Sequence, residues 1–286
     1  MGFRRVASAV GLALAIVASG QAVAAAGSPG SSTLLSLGDS LAAGYQPAHD
    51  NLSAGDTNQG YADQLAQMLP NVQLQKFGCS GETTTSMLTG GKCTYPGASS
   101  QLDAAVKYLN AHRGQVKIVT IDIGANDVQK CAAGGSIDIP CAVQGVATLA
   151  QNLPVILSTL RAAAGPDVTI VGMNYYNPFL ASYLKGSDGV FLAAGTSLAE
   201  YVVNTIEETD YRAIEARVAD VSGAFQSYDF FTMKDLPGVG PVPVNVYNIC
   251  TLTYMCALGD IHANVSGYKV IADAFVAALR PVPVPA

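Results

Sequence analysis

Short apolar runs closed by glycine alternate along this chain with longer stretches whose apolar residues recur every three or four positions. Residues 33–37 (TLLSL) are a continuous apolar run stopped by Gly38, the pattern of a strand buried on both faces. Residues 61–69 carry helical spacing as far as Pro70, and 72–77 (VQLQKF) alternate as a strand as far as Gly78. Residues 99–110 predict a helix with a serine N-cap, ended by Gly114, and 116–123 (VKIVTIDI) form the most strand-like segment of all. A helical pattern follows over 143–164, where Pro154 is expected to kink or divide it. Residues 168–173 (VTIVGM) predict a fourth strand. The segment 197–219 predicts a charged helix with Glu200, Glu207, Glu208, Glu215 and Arg217 on a solvated face. A last strand is expected at 224–230, a surface excursion at 237–244 and a closing helix at 266–279.

Strands alternating with helices predict a parallel sheet covered on both faces: an α/β protein with a three-layer α/β/α, flavodoxin-like arrangement of about five strands. Ligands of such sheets bind beyond the carboxyl ends of the strands. Ser40, Gly81 and Asn126 each follow a predicted strand, so all three are expected on that one rim. Tyr175 and Tyr176 follow the fourth strand and are candidate substrate-binding residues, with a core role as the even alternative.

The N-terminus has the make-up of an export signal. Arg4 and Arg5 precede an apolar stretch at 6–19, and Ala22-Val23-Ala24 or Ala24-Ala25-Ala26 offers a small-residue cleavage site. Residues 1–26 are therefore predicted to be a signal peptide of a secreted protein, 27–286 a single domain, and 281–286 a flexible Pro-rich tail. No later stretch is expected to be apolar over the roughly 18 residues a membrane span needs, which predicts no stable membrane insertion. The formal charge of −6 becomes −8 without Arg4 and Arg5. Without a basic run, that balance argues against nucleic acid as a partner. A monomer is the expected state.

Six cysteines in an exported chain predict disulfides, and they fall into near neighbours: Cys79 with Cys93, Cys131 with Cys141, Cys250 with Cys256. That pairing is one of many that six cysteines allow. A zinc site is the weaker alternative, since no C-x2-C spacing occurs and the histidines stand apart from the cysteines.

A serine hydroxyl needs a base to act as a nucleophile at neutral pH. Ser40 stands in Gly38-Asp39-Ser40-Leu41 directly after the first strand, and the chain has three histidines, His49, His112 and His262. His49 lies in a polar stretch and His112 ends a predicted helix, so both suit the surface. His262 lies in Gly259-Asp260-Ile261-His262, a polar loop opening the last helix, where a functional group is well placed. Acyl transfer also needs donors for the oxygen that becomes negative, and Gly78-Cys79-Ser80-Gly81 and Gly124-Ala125-Asn126-Asp127 offer a glycine N–H and an amide side chain.

These four segments, in this order and spanning nearly all of residues 27–286, resemble the GDSL, or SGNH, hydrolase superfamily, and the sequential cysteine pairs look like those of its secreted actinobacterial members. The resemblance implies an esterase or lipase that acts on a small-molecule or lipid ester through an acyl-enzyme, without metal or other cofactor. It assigns Ser40 as nucleophile, His262 as general base, and the Ser40 N–H, the Gly81 N–H and the Asn126 side chain as the oxyanion hole. One position departs from the pattern. The family places the orienting acid three residues before the histidine, where this chain has Gly259; Asp260 is the candidate here, with a backbone carbonyl as the alternative. Two other readings remain at this point. One is a metal-dependent phosphoesterase built on Asp39, Asp122, Asp127, Asp260 and His262. The other is a catalytically silent exported binding module.

Overall fold

In the computed structural model, which describes residues 32–132 and 135–280, five parallel strands form one sheet. They are β1 (Ser32–Gly38), β2 (Val72–Lys76), β3 (Val116–Asp122), β4 (Thr169–Met173) and β5 (Arg217–Ala219), arranged β2-β1-β3-β4-β5. This is the α/β arrangement the sequence predicts, with its order reversing at β1. The expected signal segment and Pro-rich tail lie outside the described residues.

Helices α1 (Ser40–Ala43), α2 (Tyr61–Met68), α3 (Thr84–Thr89), α4 (Gln101–Ala111), α5 (Ala125–Val128), α6 (Ile139–Ala164) and α7 (Ser187–Ala213) join the strands. After β5 come α8 (Val221–Ala224), α9 (Val244–Leu252), α10 (Met255–Leu258) and α11 (Val265–Leu279). Successive side chains of a strand point to opposite faces, and the core divides accordingly. Leu34, Val171 and Met173 pack with Tyr61 and Leu65 of α2 and Ile271 and Phe275 of α11. Leu35, Val119 and Ile121 pack with Leu109 of α4, Leu149, Leu153 and Leu157 of α6 and Tyr211 of α7. Leu153 has no exposed surface, so truncating it to alanine would cost about 2–5 kcal/mol in transfer energy and cavity.

Several sequence expectations are corrected. The fifth strand is Arg217–Ala219, not 224–230. Val221 and Phe225 are both buried, four residues apart, which is a helical spacing; α8 forms there with Asp220 accepting the Gly223 N–H as its cap. The charged helix starts ten residues earlier than expected and stops at Ala213, followed by Glu215 in a left-handed conformation at φ 56°. Its Glu200 and Glu207 are not on a solvated face. They share a helical stripe with Asn204 and Tyr211, and Glu207 is wholly buried. Burial pushes the Glu200 carboxyl up to about 8 and Glu207 well above its ordinary value.

Pro154 does not break α6. It lies on the exposed side, as does Ala150, so the carbonyl deprived of its partner meets water. Of the expected surface excursion at 237–244, residues 237–239 are the exposed turn and Gly240–Pro243 the second strand of an antiparallel hairpin with Met233–Leu236, while Val244 opens α9. Contrary to expectation, α6 and α7 are each long and apolar enough to cross a membrane by length and composition. Both also bury one face against the sheet, α6 through Leu149, Leu153, Ile156 and Leu160.

Candidate active site

Because the sheet is parallel, the turns after β1, β2, β3 and β4 all leave from its carboxyl edge. Gly38 closes β1 where its Cα approaches Asp122 so closely that any Cβ would overlap it. Asp39 then caps α1, its Oδ1 accepting the Leu41 N–H at 2.9 Å. The Ala42 N–H goes to Asp122 Oδ2 at 3.3 Å and the Ala43 N–H to the Asp39 carbonyl at 3.0 Å. Among the described residues, the Ser40 N–H alone of the α1 amides has no acceptor, as expected for a first-turn donor left free.

The Ser40 hydroxyl meets the other end of the chain. His262 Nε2 lies 2.8 Å from Ser40 Oγ, across 222 residues of sequence. His262 Nδ1 lies 2.7 Å from Asp260 Oδ1, which also accepts the His262 backbone N–H at 3.0 Å. Gly259 explains why the acid stands at 260: it closes α10 in a left-handed conformation, φ 70°, which glycine accepts without strain. Burial raises the Asp260 carboxyl, but the hydrogen bonds from the His262 ring and backbone and the histidine's charge outweigh it and hold it below its ordinary value.

The histidine loop is fixed from three sides. Tyr176 Oη donates to the Ile261 carbonyl at 2.8 Å, the Tyr254 N–H to the His262 carbonyl at 3.0 Å, and the Tyr45 ring covers the imidazole with centroids 4.5 Å apart. Tyr175 Oη donates to Asp39 Oδ2 at 2.9 Å. Asp39 and Asp122 adjoin in the interior. Burial raises both carboxyls, and Asp122, which also faces the Asp39 charge, lies well above the ordinary range although it accepts from the Tyr61 hydroxyl, a bond that works the other way.

The Asn126 amide is oriented at both ends: Nδ2 donates to the Glu82 carbonyl at 2.9 Å, and Oδ1 accepts from Gln129. One Nδ2 hydrogen remains uncommitted. Gly81 lies in the turn Cys79–Glu82, closed by the Glu82 N–H on the Cys79 carbonyl and tied to β1 by the Cys79 N–H on the Gly38 carbonyl, each at 3.0 Å. Disulfides join Cys79 to Cys93, Cys131 to Cys141 and Cys250 to Cys256, the near-neighbour pairing.

A pocket opens beside Ser40 and His262 and runs between α6 and α7, walled by Ile137, Val146, Phe179 and Val203 among others. Tyr175 and Tyr176 line it and are core residues as well, each 6% exposed. Polar groups in its wall are largely occupied elsewhere. Asn177 Nδ2 donates to Thr196 and Ser197, and the Asn204 side chain pairs with both the N–H and the carbonyl of Tyr175.

The carboxylates of the metal reading do not converge. Asp127 accepts from the Thr84 N–H and hydroxyl at 2.9 and 2.7 Å, remote in role from Asp260 on His262. Among the described residues no three His, Cys, Asp or Glu side chains gather in a group fit to hold a metal ion. His49 and His112 are half-buried; His112 is bonded locally to the Tyr108 carbonyl, whereas His49 bonds the Pro47 carbonyl and, through Nε2, the Tyr254 hydroxyl at 3.1 Å.

The class of this protein, a carboxylic ester hydrolase, follows from its family. The chain belongs to the GDSL-like lipase/acylhydrolase family, whose model matches residues 36–270. Among solved structures it is similar to an extracellular lipase from Streptomyces rimosus, 16% identical, covering 87% of this chain and 100% of that one at a TM-score of 0.53. It is similar also to phospholipase A1 from Streptomyces albidoflavus, 15% identical over 87% and 99% with a TM-score of 0.54. A variant of an acetyl-xylooligosaccharide esterase from Geobacillus stearothermophilus matches at 16% identity over 89% and 97%, TM-score 0.50. These likenesses show the fold. A curated relative in sequence is a pyrophosphoryl-undecaprenol N-acetylglucosamine transferase from Latilactobacillus sakei, 29% identical over 119 residues, or 42% of this chain and 31% of that protein. The matched segment thus spans about a third of the length of that relative.

The sequence does not single out Tyr45, Gln101 or Gln129. Each is an ordinary polar or aromatic residue in its segment, and only the fold brings it to the site. Glu200 and Glu207 do carry a signal, since their spacing of seven with Asn204 between them marks one helical stripe.

Proposed function

We propose that this protein is a secreted serine ester hydrolase that cleaves carboxylic esters with an apolar acyl group through an acyl-enzyme on Ser40. The observation that carries it is the 2.8 Å approach of His262 Nε2 to Ser40 Oγ, with Asp260 on the opposite ring nitrogen. His262 takes the hydroxyl proton as Oγ attacks the ester carbon, and Asp260 fixes the tautomer and stabilises the imidazolium. The carbonyl oxygen becomes negative and is received by the Ser40 N–H, the free Asn126 Nδ2 hydrogen and the Gly81 N–H. His262 returns its proton to the leaving alcohol. Water then repeats the sequence on the acyl-enzyme and frees the acid.

The apolar pocket suits the acyl chain, because its walls gain from burial and, away from Asn126, its asparagines Asn177 and Asn204 are committed to the protein. Three disulfides support an oxidising destination, with residues 1–26 as the export segment and 27–286 as one hydrolase domain. The test is labelling with a fluorophosphonate followed by peptide mapping. A single adduct on Ser40, with Ser40→Ala lacking both adduct and turnover of nitrophenyl esters, is the expected result. Wild-type turnover in Ser40→Ala overturns the proposal.

A further inference from the structure

The end of β1 is completed by a side chain. In a parallel sheet the N–H and C=O of one residue point to the same neighbour, and on the β2 side of β1 the ladder runs to the Phe77 N–H on the Ser36 carbonyl at 2.8 Å. At the next position β2 has ended at Lys76; the Cys79 N–H still reaches the Gly38 carbonyl at 3.0 Å, but among the described residues the Gly38 N–H has no backbone acceptor on that side. There the primary amide of Gln101, at the start of α4, acts as a surrogate peptide group: Oε1 accepts the Gly38 N–H at 2.6 Å and Nε2 donates to the Gly38 carbonyl at 2.9 Å. Gln101 is 1% exposed, so this pairing is screened from water.

The same Nε2 reaches two further acceptors, Glu82 Oε2 and the Tyr95 hydroxyl, each at 3.0 Å. Tyr95 spends its own proton on the Phe77 carbonyl at 2.8 Å. Glu82 is 1% exposed and follows Gly81 directly, and its carbonyl holds the Asn126 amide at 2.9 Å. Beside the direct Cys79 N–H bond on the Gly38 carbonyl, one buried amide therefore connects the residue two before Ser40 with the turn that carries Gly81 and, through the Glu82 backbone, with Asn126. Its two hydrogens face three acceptors, an arrangement with no slack.

We propose that Gln101 is a positioning residue that sets the distance between the Ser40 loop and the donors of the oxyanion hole, with Glu82 as its partner on the donor side. Gln101 touches no substrate. It acts by holding Gly38 and Glu82 to one rigid group, so its loss relaxes the donors about the developing oxyanion while the acyl pocket, lined by other residues, stays as it is. The inference rests on the serine-hydrolase reading above and deepens it.

The experiment compares kcat and KM for nitrophenyl butyrate in Gln101→Met, Glu82→Met and Glu82→Gln, with the thermal midpoint of each as the folding control. Gln101→Met is expected to lower kcat at least about tenfold with KM within about twofold, short of the 10²–10³ loss for removing a donor outright. The fluorophosphonate should still reach one label per chain, at a slower rate. Glu82→Met is expected to lower kcat likewise, and Glu82→Gln, which keeps an acceptor, to recover most of it. Wild-type kcat in folded Gln101→Met overturns the inference, as does a loss expressed in KM alone. If Gln101→Met does not fold, the Glu82 pair decides, and equal damage in both Glu82 variants overturns the inference. Failure of the underlying reading is told apart by Ser40→Ala, whose full turnover removes the nucleophile assignment whatever Gln101 does.

Discussion

Asp260 Oδ1 holds His262 twice, at the ring Nδ1 at 2.7 Å and at the backbone N–H at 3.0 Å, although only one residue separates them in the chain. The contact is local, so the orienting acid depends on the turn at Gly259 more than on the rest of the fold. Asp260→Asn keeps the shape but loses the carboxylate that stabilises an imidazolium. We expect kcat to fall about 10²-fold with KM little changed, less than the roughly 10⁴-fold seen where the acid is fully buried, because the Asp260 side chain is 26% exposed. Unchanged kcat in steady-state ester hydrolysis would transfer the orienting role to a backbone group.

Glu200 and Asp260 predict opposite slopes of stability with pH. Asp260 is depressed in the folded protein, so its contribution is present above the unfolded carboxyl value of about 3.9 and disappears as pH falls through its lower folded value. Glu200 is raised from 4.5 to about 8 by burial, so between those values the folded state retains a proton that the unfolded chain has lost. Stability from this group falls as pH rises across that window. Glu200→Gln removes the ionisation, and its thermal midpoint should drop less than the wild-type one between about pH 5 and pH 9. Parallel curves for the two proteins would show that Glu200 ionises normally.

The Cys131–Cys141 disulfide bounds the pocket as well as the chain. Cys131, Ala132, Ile137 and Ala142 contribute to the pocket wall, and the bridge closes a loop with a sequence separation of 10. By loop entropy it should contribute about 2–3 kcal/mol. Changing both residues to serine should lower the denaturation midpoint accordingly and reduce kcat/KM for octanoyl more than for acetyl esters. Loss of stability with an unaltered chain-length profile would separate the bridge from substrate selection.

Val203 lines the pocket from α7 and is 4% exposed. Val203→Phe fills space there while leaving Ser40 and His262 in place. A chain-length series should show acetyl ester hydrolysis within about threefold of wild type and octanoyl hydrolysis reduced at least about tenfold, the scale expected when one or two methylene groups no longer fit the pocket. A uniform loss across the series would mean that acyl chains bind elsewhere.

Much of this molecule is legible in its sequence because its signals are local. TLLSL and VKIVTIDI read as buried strands, and the residue after each strand has to emerge on the carboxyl edge once the sheet is parallel. The misplaced fifth strand shows the limit: Arg217–Ala219 is three residues long, too short to display a period, and the apolar residues after it belong to a helical turn. Charge alone places Glu200 and Glu207 in solvent, whereas their spacing places them on the buried stripe, where desolvation raises both carboxyls. Gln101 is out of reach altogether. Its partners Gly38 and Glu82 lie 63 and 19 residues away, and nothing in a lone glutamine announces that it will serve as a strand.

The 222-residue separation of the serine and histidine has a consequence for biosynthesis. On the proposed reading, every strand of the sheet must be laid down before the imidazole loop arrives, so a ribosome-bound or partly translocated chain carries a hydroxyl with no base. On that reading the site is complete only once the His262 loop, between α10 and α11, has packed against Ser40.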